Sequence, residues 1–248
     1  MFNLRYTLIK ISGRKGIILS FLTALCSMLY AFCFAFDHSA WTNELKKYVS
    51  AEGKVNYAEW VKDTVGIDLY LKSLSDSPPQ NIWHKNEKLA YWINAYNAFT
   101  IKLVLDHYPI QSIRDLDNGK VWERIWITLG SDTYSLNQIE NEIIRIQFTE
   151  PRIHFALNCA AKSCPPLLNE AFETVNVDAQ LDKQAKRFIN NPQFNEINST
   201  GIKISKLFSW YKGDFKPDLI TFLNRYLSIP ITDGTKVEYL PYDWGLNE

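Results

Sequence analysis

The stretch EKLAYWINAYNAFTIKLVLDH, residues 87–107, decides the fold because it predicts one long helix that is apolar on most sides. Apolar residues recur in it at three- and four-residue steps, the spacing of one helix face: Leu89, Trp92, Ile93, Tyr96, Phe99, Leu103 and Val104. A helix that is apolar around much of its circumference must be covered by other elements. We therefore expect a central, largely buried helix that ends before Pro109, because proline lacks a backbone donor and restricts the residue before it.

Shorter patterns on both sides of this helix predict further helices and a few strands. Helical spacing covers residues 41–50, 67–74, 178–190, 206–211 and 218–227. A capping box, Ser135 with Gln138, opens a helix to about Ile146, and Pro165 suits the first turn of a helix over 167–172. Strands are predicted at 125–129, 133–134, 152–158, 201–204 and 237–240. The sequence therefore predicts an α+β fold, mostly helical with a small β-sheet.

The first 36 residues have the pattern of a signal sequence. They contain four basic and no acidic residues, and the apolar run 17–36 is broken only by three hydroxyl residues. Cys33 and Ala35 place small side chains at the −3 and −1 positions of a cut after Ala35. We predict a signal peptide over residues 1–35 and a periplasmic or secreted protein. The alternative is an uncleaved anchor in the inner membrane, because the run is long enough to cross a bilayer.

The remaining residues, 37–248, are predicted to form a single domain. Four of the 27 basic residues and none of the 27 acidic residues lie in the first 36 positions, so the remainder carries a formal net charge of −4. This charge argues against a nucleic-acid partner, which requires a concentrated basic face. We expect a small-molecule or peptide ligand, and membrane contact only through the N-terminal segment if it is not cleaved.

Residues 154–166, HFALNCAAKSCPP, carry the main candidate chemistry. A cysteine needs a base or a positive environment because the thiolate is the nucleophile. His154 is the candidate base, and Cys159 and Cys164 are the candidate nucleophiles, with Cys164 expected at a helix N-terminus that would lower its pKa. Since side chains alternate along a strand, pairing His154 with Cys159 requires a bend. The alternative is a Cys159–Cys164 disulfide that staples the turn, with His154 a hydrogen-bonded core residue.

Two amides on the central helix could belong to the same site. Asn94 and Asn97 are three residues apart, so they share a helix face. Buried amides must find hydrogen-bonding partners. One interpretation is that they tie the helix to neighbouring loops; the other is that they orient His154 or hold substrate, as asparagine does in some cysteine hydrolases.

Other polar side chains receive structural interpretations. Glu140 and Glu142, near Arg145, are predicted to lie on a solvated helix face, although a role at the site is the alternative. Neither a metal nor a cofactor is predicted, because no ligand spacing links the four histidines: His38, His84, His107 and His154.

At these residues the chain resembles the domain-of-unknown-function 547 family of bacteria, plants and nematodes. The resemblance spans roughly residues 50–245 and rests on Asn56 and Tyr57, 91–98, Thr100 and Ile101, 136–145, 153–167, 207–210 and 242–244. The resemblance implies membership of a family for which no reaction is established, so it does not by itself imply an activity. Many members have histidine where this chain has Asn141, so a second family histidine is absent here. Plant relatives do not keep both cysteines, which implies that the pair is an adaptation to the periplasm rather than the family's common mechanism.

These patterns lead to two hypotheses of different classes. The first is a thiol-dependent hydrolase or acyltransferase acting on a small peptide or amide. In it one cysteine attacks a carbonyl, His154 transfers the proton, and Asn94 or Asn97 orients the imidazole of His154. The second is a non-catalytic envelope binding or scaffold domain, with aromatic residues lining a groove and a structural Cys159–Cys164 disulfide.

Overall fold

The computed structural model describes residues 35–198, 201–232 and 234–248. The predicted signal peptide therefore lies, apart from its last residue, outside the described residues. Phe36–Glu248 form one compact unit. Within the described ranges, no helix combines the length and apolarity that a bilayer crossing requires.

The first half of this unit is a helical layer around the predicted central helix. Its helices are α1 (Ser39–Tyr48), α2 (Tyr57–Trp60), α3 (Val65–Asp76) and α4 (Lys85–Leu105). Helix α4 is buried along most of its length, which confirms the prediction of a central helix. Aromatic side chains fill the space around it: Trp41 stacks on Tyr70 at 5.5 Å, and the Tyr91 hydroxyl donates to the Leu74 carbonyl at 2.7 Å.

A hairpin and an unusual helix follow α4. After two 3-10 segments, Ile113–Gly119 and Val121–Glu123, the antiparallel strands β1 (Ile127–Leu129) and β2 (Asp132–Tyr134) form the predicted hairpin. The capping box is confirmed, because Ser135 and Gln138 bond each other's backbone N–H through their side chains. The helix that it opens is a π-helix, Gln138–Ile144, which continues as α5 (Arg145–Phe148). Segments of π-helix are rare and occur frequently at functional sites.

The predicted strand over 152–158 is wrong. Pro151–Phe155 form a 3-10 helix, in which Pro151 occupies the first turn and the Glu150 side chain accepts from the Arg152 N–H. Arg152 also forms ion pairs with Glu150, Asp178 and Asp182, and these hold the turn. The apolar composition reflected burial, but a buried run needs no neighbouring strand when its backbone groups find other partners.

The predicted helix over 167–172 is also wrong, and Cys164 does not lie at a helix N-terminus. Residues 156–173 form an irregular loop whose backbone bonds side-chain amides instead of a helical ladder. The amides come from α4, from the loop itself and from helix α6 (Val177–Ile189): Asn94, Asn97, Asn158, Gln180 and Gln184. We call this segment the amide-held loop.

The C-terminal part builds a second apolar core beside the first. A mixed sheet contains β3 (Glu196–Asn198), β4 (Gly201–Ile204) and β5 (Val237–Tyr239), with β3 antiparallel and β5 parallel to β4. Helices α7 (Leu207–Trp210) and α8 (Leu219–Asn224) pack with α6 and the sheet around Phe155. The architecture is a mostly helical α+β domain, as predicted from the sequence.

Candidate functional site

A cleft opens where side chains from the two cores meet the amide-held loop. It has a volume of about 280 Å³, and we call it the His–Cys cleft. Its lining comes from α4, the 3-10 helices Val121–Glu123 and Pro151–Phe155, the π-helix and the residue before it, the amide-held loop, α7 and the residue after it, and the C-terminal segment: Tyr96, Trp122, Asn137, Glu140, Asn141, His154, Leu157, Cys159, Cys164, Pro165, Leu207, Trp210, Tyr211, Tyr242 and Trp244. Three of the five predicted site residues, His154, Cys159 and Cys164, therefore line one cavity.

His154 is held by an aspartate and an aromatic ring. The side chain is only 1% exposed, and its Nε2 bonds Asp214 Oδ2 at 2.7 Å. The imidazole stacks on the ring of Tyr211 with a centroid distance of 3.8 Å. Within the described ranges, no hydrogen bond joins either ring nitrogen to a sulfur. The Asp214 bond and the Tyr211 stack hold the imidazole ring in one orientation.

Asp214 also forms an ion pair with the guanidinium of Arg145. Arg145 donates from Nε at 2.7 Å and from Nη2 at 2.8 Å, a bidentate arrangement. The hydrogen bond from His154, followed by that from Arg145, keeps the pKa of Asp214 far below its ordinary value. The carboxylate is thus ionised at neutral pH and sets the orientation of the His154 ring.

The π-helix contributes a second acidic side chain, Glu140, to the site. Glu140 is 7% exposed and accepts a 2.6 Å hydrogen bond from the Tyr211 hydroxyl. Burial, followed by the negative charge of Glu140, raises the pKa of Tyr211, so this hydroxyl keeps its proton. The prediction of a solvated face is wrong for Glu140, which lines the cleft, whereas Glu142 is exposed. The extra residue in each π-turn changes which side chains face the core, and α-helical spacing could not predict that.

The two cysteines form an unequal pair. Their sulfurs are free and lie 2.8 Å apart, within hydrogen-bonding distance but beyond the ~2.05 Å of a disulfide bond. Cys159 is half-buried and its Sγ lies 3.1 Å from the Tyr242 hydroxyl, whereas Cys164 is only 5% exposed. Hydrogen bonds from Cys164, Tyr242 and the Ala161 backbone lower the pKa of Cys159. Burial raises the pKa of Cys164 well above its ordinary value.

Asn94 and Asn97 lie behind the cleft rather than in it. Asn94 exchanges two hydrogen bonds with the backbone of Phe172, at 2.8 and 2.9 Å. Asn97 donates to the Ala156 carbonyl at 2.9 Å and accepts from the Asn158 N–H at 2.8 Å. Neither amide contacts His154. Their contacts fit the first sequence interpretation, in which they tie the helix to the loop that carries the cysteines.

Three residues of the site were absent from the sequence prediction, Tyr211, Asp214 and Tyr242, and a role at the site was only the alternative interpretation for Glu140. Glu140 and Tyr242 lie within motifs of the family resemblance, so a signal existed for them. Asp214 follows α7 in a stretch without a motif, and only the folded chain brings it to His154, 60 positions earlier. Within the described residues, no group of three His, Cys, Asp or Glu side chains is arranged to hold a metal ion.

The fold and the cleft define a class: a mostly helical α+β domain in which two cysteines of different burial and a buried, Asp-bound histidine line one cavity. Residues 80–189 match the model of a family described as "Protein of unknown function, DUF547", so the chain carries a domain of the DUF547 family. The match includes the π-helix, the amide-held loop and both cysteines. No curated protein and no solved structure matches the chain.

Proposed function

We propose that this protein is a thiol-dependent hydrolase or acyltransferase that acts on a small peptide or amide, with Cys159 as the nucleophile. One observation carries the proposal: a half-buried thiol with a lowered pKa and an Asp-bound imidazole line the same cleft. A lowered pKa increases the thiolate fraction at neutral pH. Cys159 is preferred over Cys164 because burial keeps Cys164 protonated.

The proposed reaction has two steps. The Cys159 thiolate attacks the substrate carbonyl carbon, and the bond to the leaving amine breaks as that amine takes a proton from His154. Water in a hydrolase, or an acceptor amine or hydroxyl in a transferase, then attacks the thioester carbonyl carbon, and His154 takes the proton of that attacking group. The C–S bond breaks and releases the Cys159 thiolate for the next cycle. Asp214 holds the imidazole and balances its positive charge. Cys159 and His154 both line the cleft without a hydrogen bond between them, so the proposed mechanism requires a substrate in the cleft that reaches both.

A generic acyl donor tests this chemistry without knowledge of the natural substrate. We expect the reduced full-length protein to release nitrophenolate from p-nitrophenyl acetate in a burst, followed by steady turnover. Cys159→Ala should abolish the burst, and His154→Ala should slow turnover by roughly 10²- to 10⁴-fold. Cys164→Ala should still become acylated, although more slowly because Cys159 loses a hydrogen bond. Equal acetylation of wild type and Cys159→Ala by intact mass would remove the proposal.

A second candidate function rests on a different observation, the aromatic wall of the cleft. Trp210, 47% exposed, lies 4.8 Å from Tyr242 and 5.8 Å from Trp244 between ring centroids. Aromatic surfaces of this kind hold ligands by stacking, so the alternative is a non-catalytic binding or scaffold domain. Its test is a tryptophan-fluorescence titration with short peptides and amino sugars. Saturable binding that Trp210→Ala abolishes, without any acyl transfer, would favour this function.

We also propose export to the periplasm or the exterior. The cationic, acid-free and strongly apolar first 36 residues support it. Cell fractionation combined with the mass of the mature N-terminus tests it. A cut after Ala35 supports a soluble exported form, an uncleaved chain in the inner-membrane fraction supports the anchor, and a full-length cytoplasmic protein contradicts both.

A further inference from the structure

We propose that Cys159 and Cys164 carry out thiol–disulfide exchange with external disulfides, Cys159 as the attacking and Cys164 as the resolving sulfur. The two Sγ atoms already lie 2.8 Å apart, so closing the bond requires a shift of less than 1 Å. The Cys159 N–H also points at the partner sulfur, at 2.8 Å. Exchange is an activity in its own right and does not depend on acyl transfer by the same thiol.

The two sulfurs differ in access, which assigns their roles. Both cysteines line the cleft, but Cys159 is half-buried and is the more exposed of the two, so an incoming disulfide reaches it first. Cys164 is 5% exposed, and its sulfur contacts Cys159 and, at 3.7 Å, the Leu157 carbonyl. The lowered pKa of Cys159 and the raised pKa of Cys164 agree with this order, since the thiolate attacks.

The hydrogen bonds of the amide-held loop hold the two cysteine sulfurs close together. Asn97 fixes the Asn158 N–H immediately before Cys159, and the Asn158 side chain donates to the Pro165 carbonyl immediately after Cys164, at 2.9 Å. One end of the cysteine turn is thus bonded to the Asn97 side chain and the other to the Asn158 side chain. The turn between the two cysteines is already closed before the reaction. Attack of Cys164 on the mixed disulfide should therefore be faster than the reverse reaction that frees Cys159.

The exchange balances without a cofactor. The Cys159 thiolate attacks one sulfur of an external disulfide, forming a mixed disulfide and releasing the other half as a thiolate, which takes up a proton. Cys164 then loses its proton to solvent or the cleft and attacks Cys159 Sγ, forming the intramolecular disulfide and releasing the second thiol. The protein loses two electrons, and the external disulfide becomes two thiols. If the proposed acyl transfer holds, oxidation also removes its nucleophile and stops it.

Oxidised glutathione and trypsin test the proposal directly. Trypsin cuts after Lys162, between the two cysteines, and separates them into peptides 153–162 and 163–183. After the reduced full-length protein is incubated with oxidised glutathione and quenched by alkylation, we expect these peptides to be joined by a disulfide. Cys164→Ser should instead retain glutathione on Cys159. Cys159→Ser should acquire glutathione on Cys164 roughly tenfold more slowly or worse, because the remaining thiol is buried.

Three outcomes would overturn the proposal: unlinked peptides in the wild type, a stable glutathione adduct on the wild type, or equal modification of Cys164 in Cys159→Ser. The wild-type peptide map alone decides the first two if a variant does not fold, and circular dichroism identifies such a variant. The acyl-transfer assay is run on reduced protein, so a failure of exchange and a failure of acyl transfer are recorded separately.

Discussion

Replacement of Asp214 by asparagine tests whether the carboxylate organises the site. Three charge-assisted hydrogen bonds converge on this side chain, two from Arg145 and one from His154. Removal of one partner of a buried ion pair costs about 3–5 kcal/mol, because the other charge is left uncompensated. The Arg145 and Asp214 side chains are 31% and 26% exposed, so solvent screens part of this loss. We expect Asp214→Asn to lower the free energy of unfolding by about 2–3 kcal/mol at pH 7.

The sign of the pH dependence follows from the lowered pKa of Asp214. A carboxyl group whose pKa is lower in the folded state stabilises the fold above its unfolded pKa, near 3.8, and this contribution is lost as the pH falls through the folded pKa. The difference between wild type and Asp214→Asn should therefore be complete at pH 5–7. It should shrink as the pH falls below 3.8.

Urea denaturation followed by tryptophan fluorescence measures the difference, with Asp182→Asn as the matched control. Asp182 also pairs with an arginine, Arg152, at 2.9 Å, but its side chain is 60% exposed. An exposed pair contributes about 0–1 kcal/mol. Equal losses in the two variants, or a loss in Asp214→Asn that persists undiminished at low pH, would refute the assigned role of the Asp214 charge.

Three further predictions concern single side chains. Tyr242→Phe removes a hydrogen bond to the Cys159 sulfur, so the pH profile of Cys159 alkylation by iodoacetamide should shift to higher pH; an unchanged midpoint contradicts the role of the hydroxyl. His38 is buried and burial lowers its pKa to about 4, so stability present above pH 6.5 should fall by about 3 kcal/mol as the pH drops to 4. In urea denaturation His38→Gln should flatten that dependence, and an equally steep profile in the variant would assign the acid sensitivity elsewhere. Asn97→Ala removes two buried hydrogen bonds and should cost about 2–4 kcal/mol in thermal or urea unfolding, and a loss below about 0.5 kcal/mol would show that the amide-held loop does not depend on it.

Local patterns in the sequence predicted elements that depend on short-range physics. The apolar spacing of 87–107 predicted α4 and its burial, because a helix with apolar residues on most sides can only lie inside. The Ser135–Gln138 capping box was confirmed because both partners lie within one helical turn, so their pairing depends only on local sequence. The apolar composition of 152–158 correctly predicted that most of this segment is buried, but the prediction that it forms a strand was wrong.

The sequence by itself thus determined the helical core, the small sheet and the cysteine- and histidine-bearing segment. Tertiary structure alone decided the conformation of that segment, because its backbone bonds amides contributed by α4 and α6. It also decided the chemistry of the site: Asp214 and Tyr211 reach His154 across about 60 positions, and Tyr242 reaches Cys159 across 83. The strength of these contacts depends on distance and burial in the folded chain, and neither quantity is encoded in the spacing of neighbouring residues.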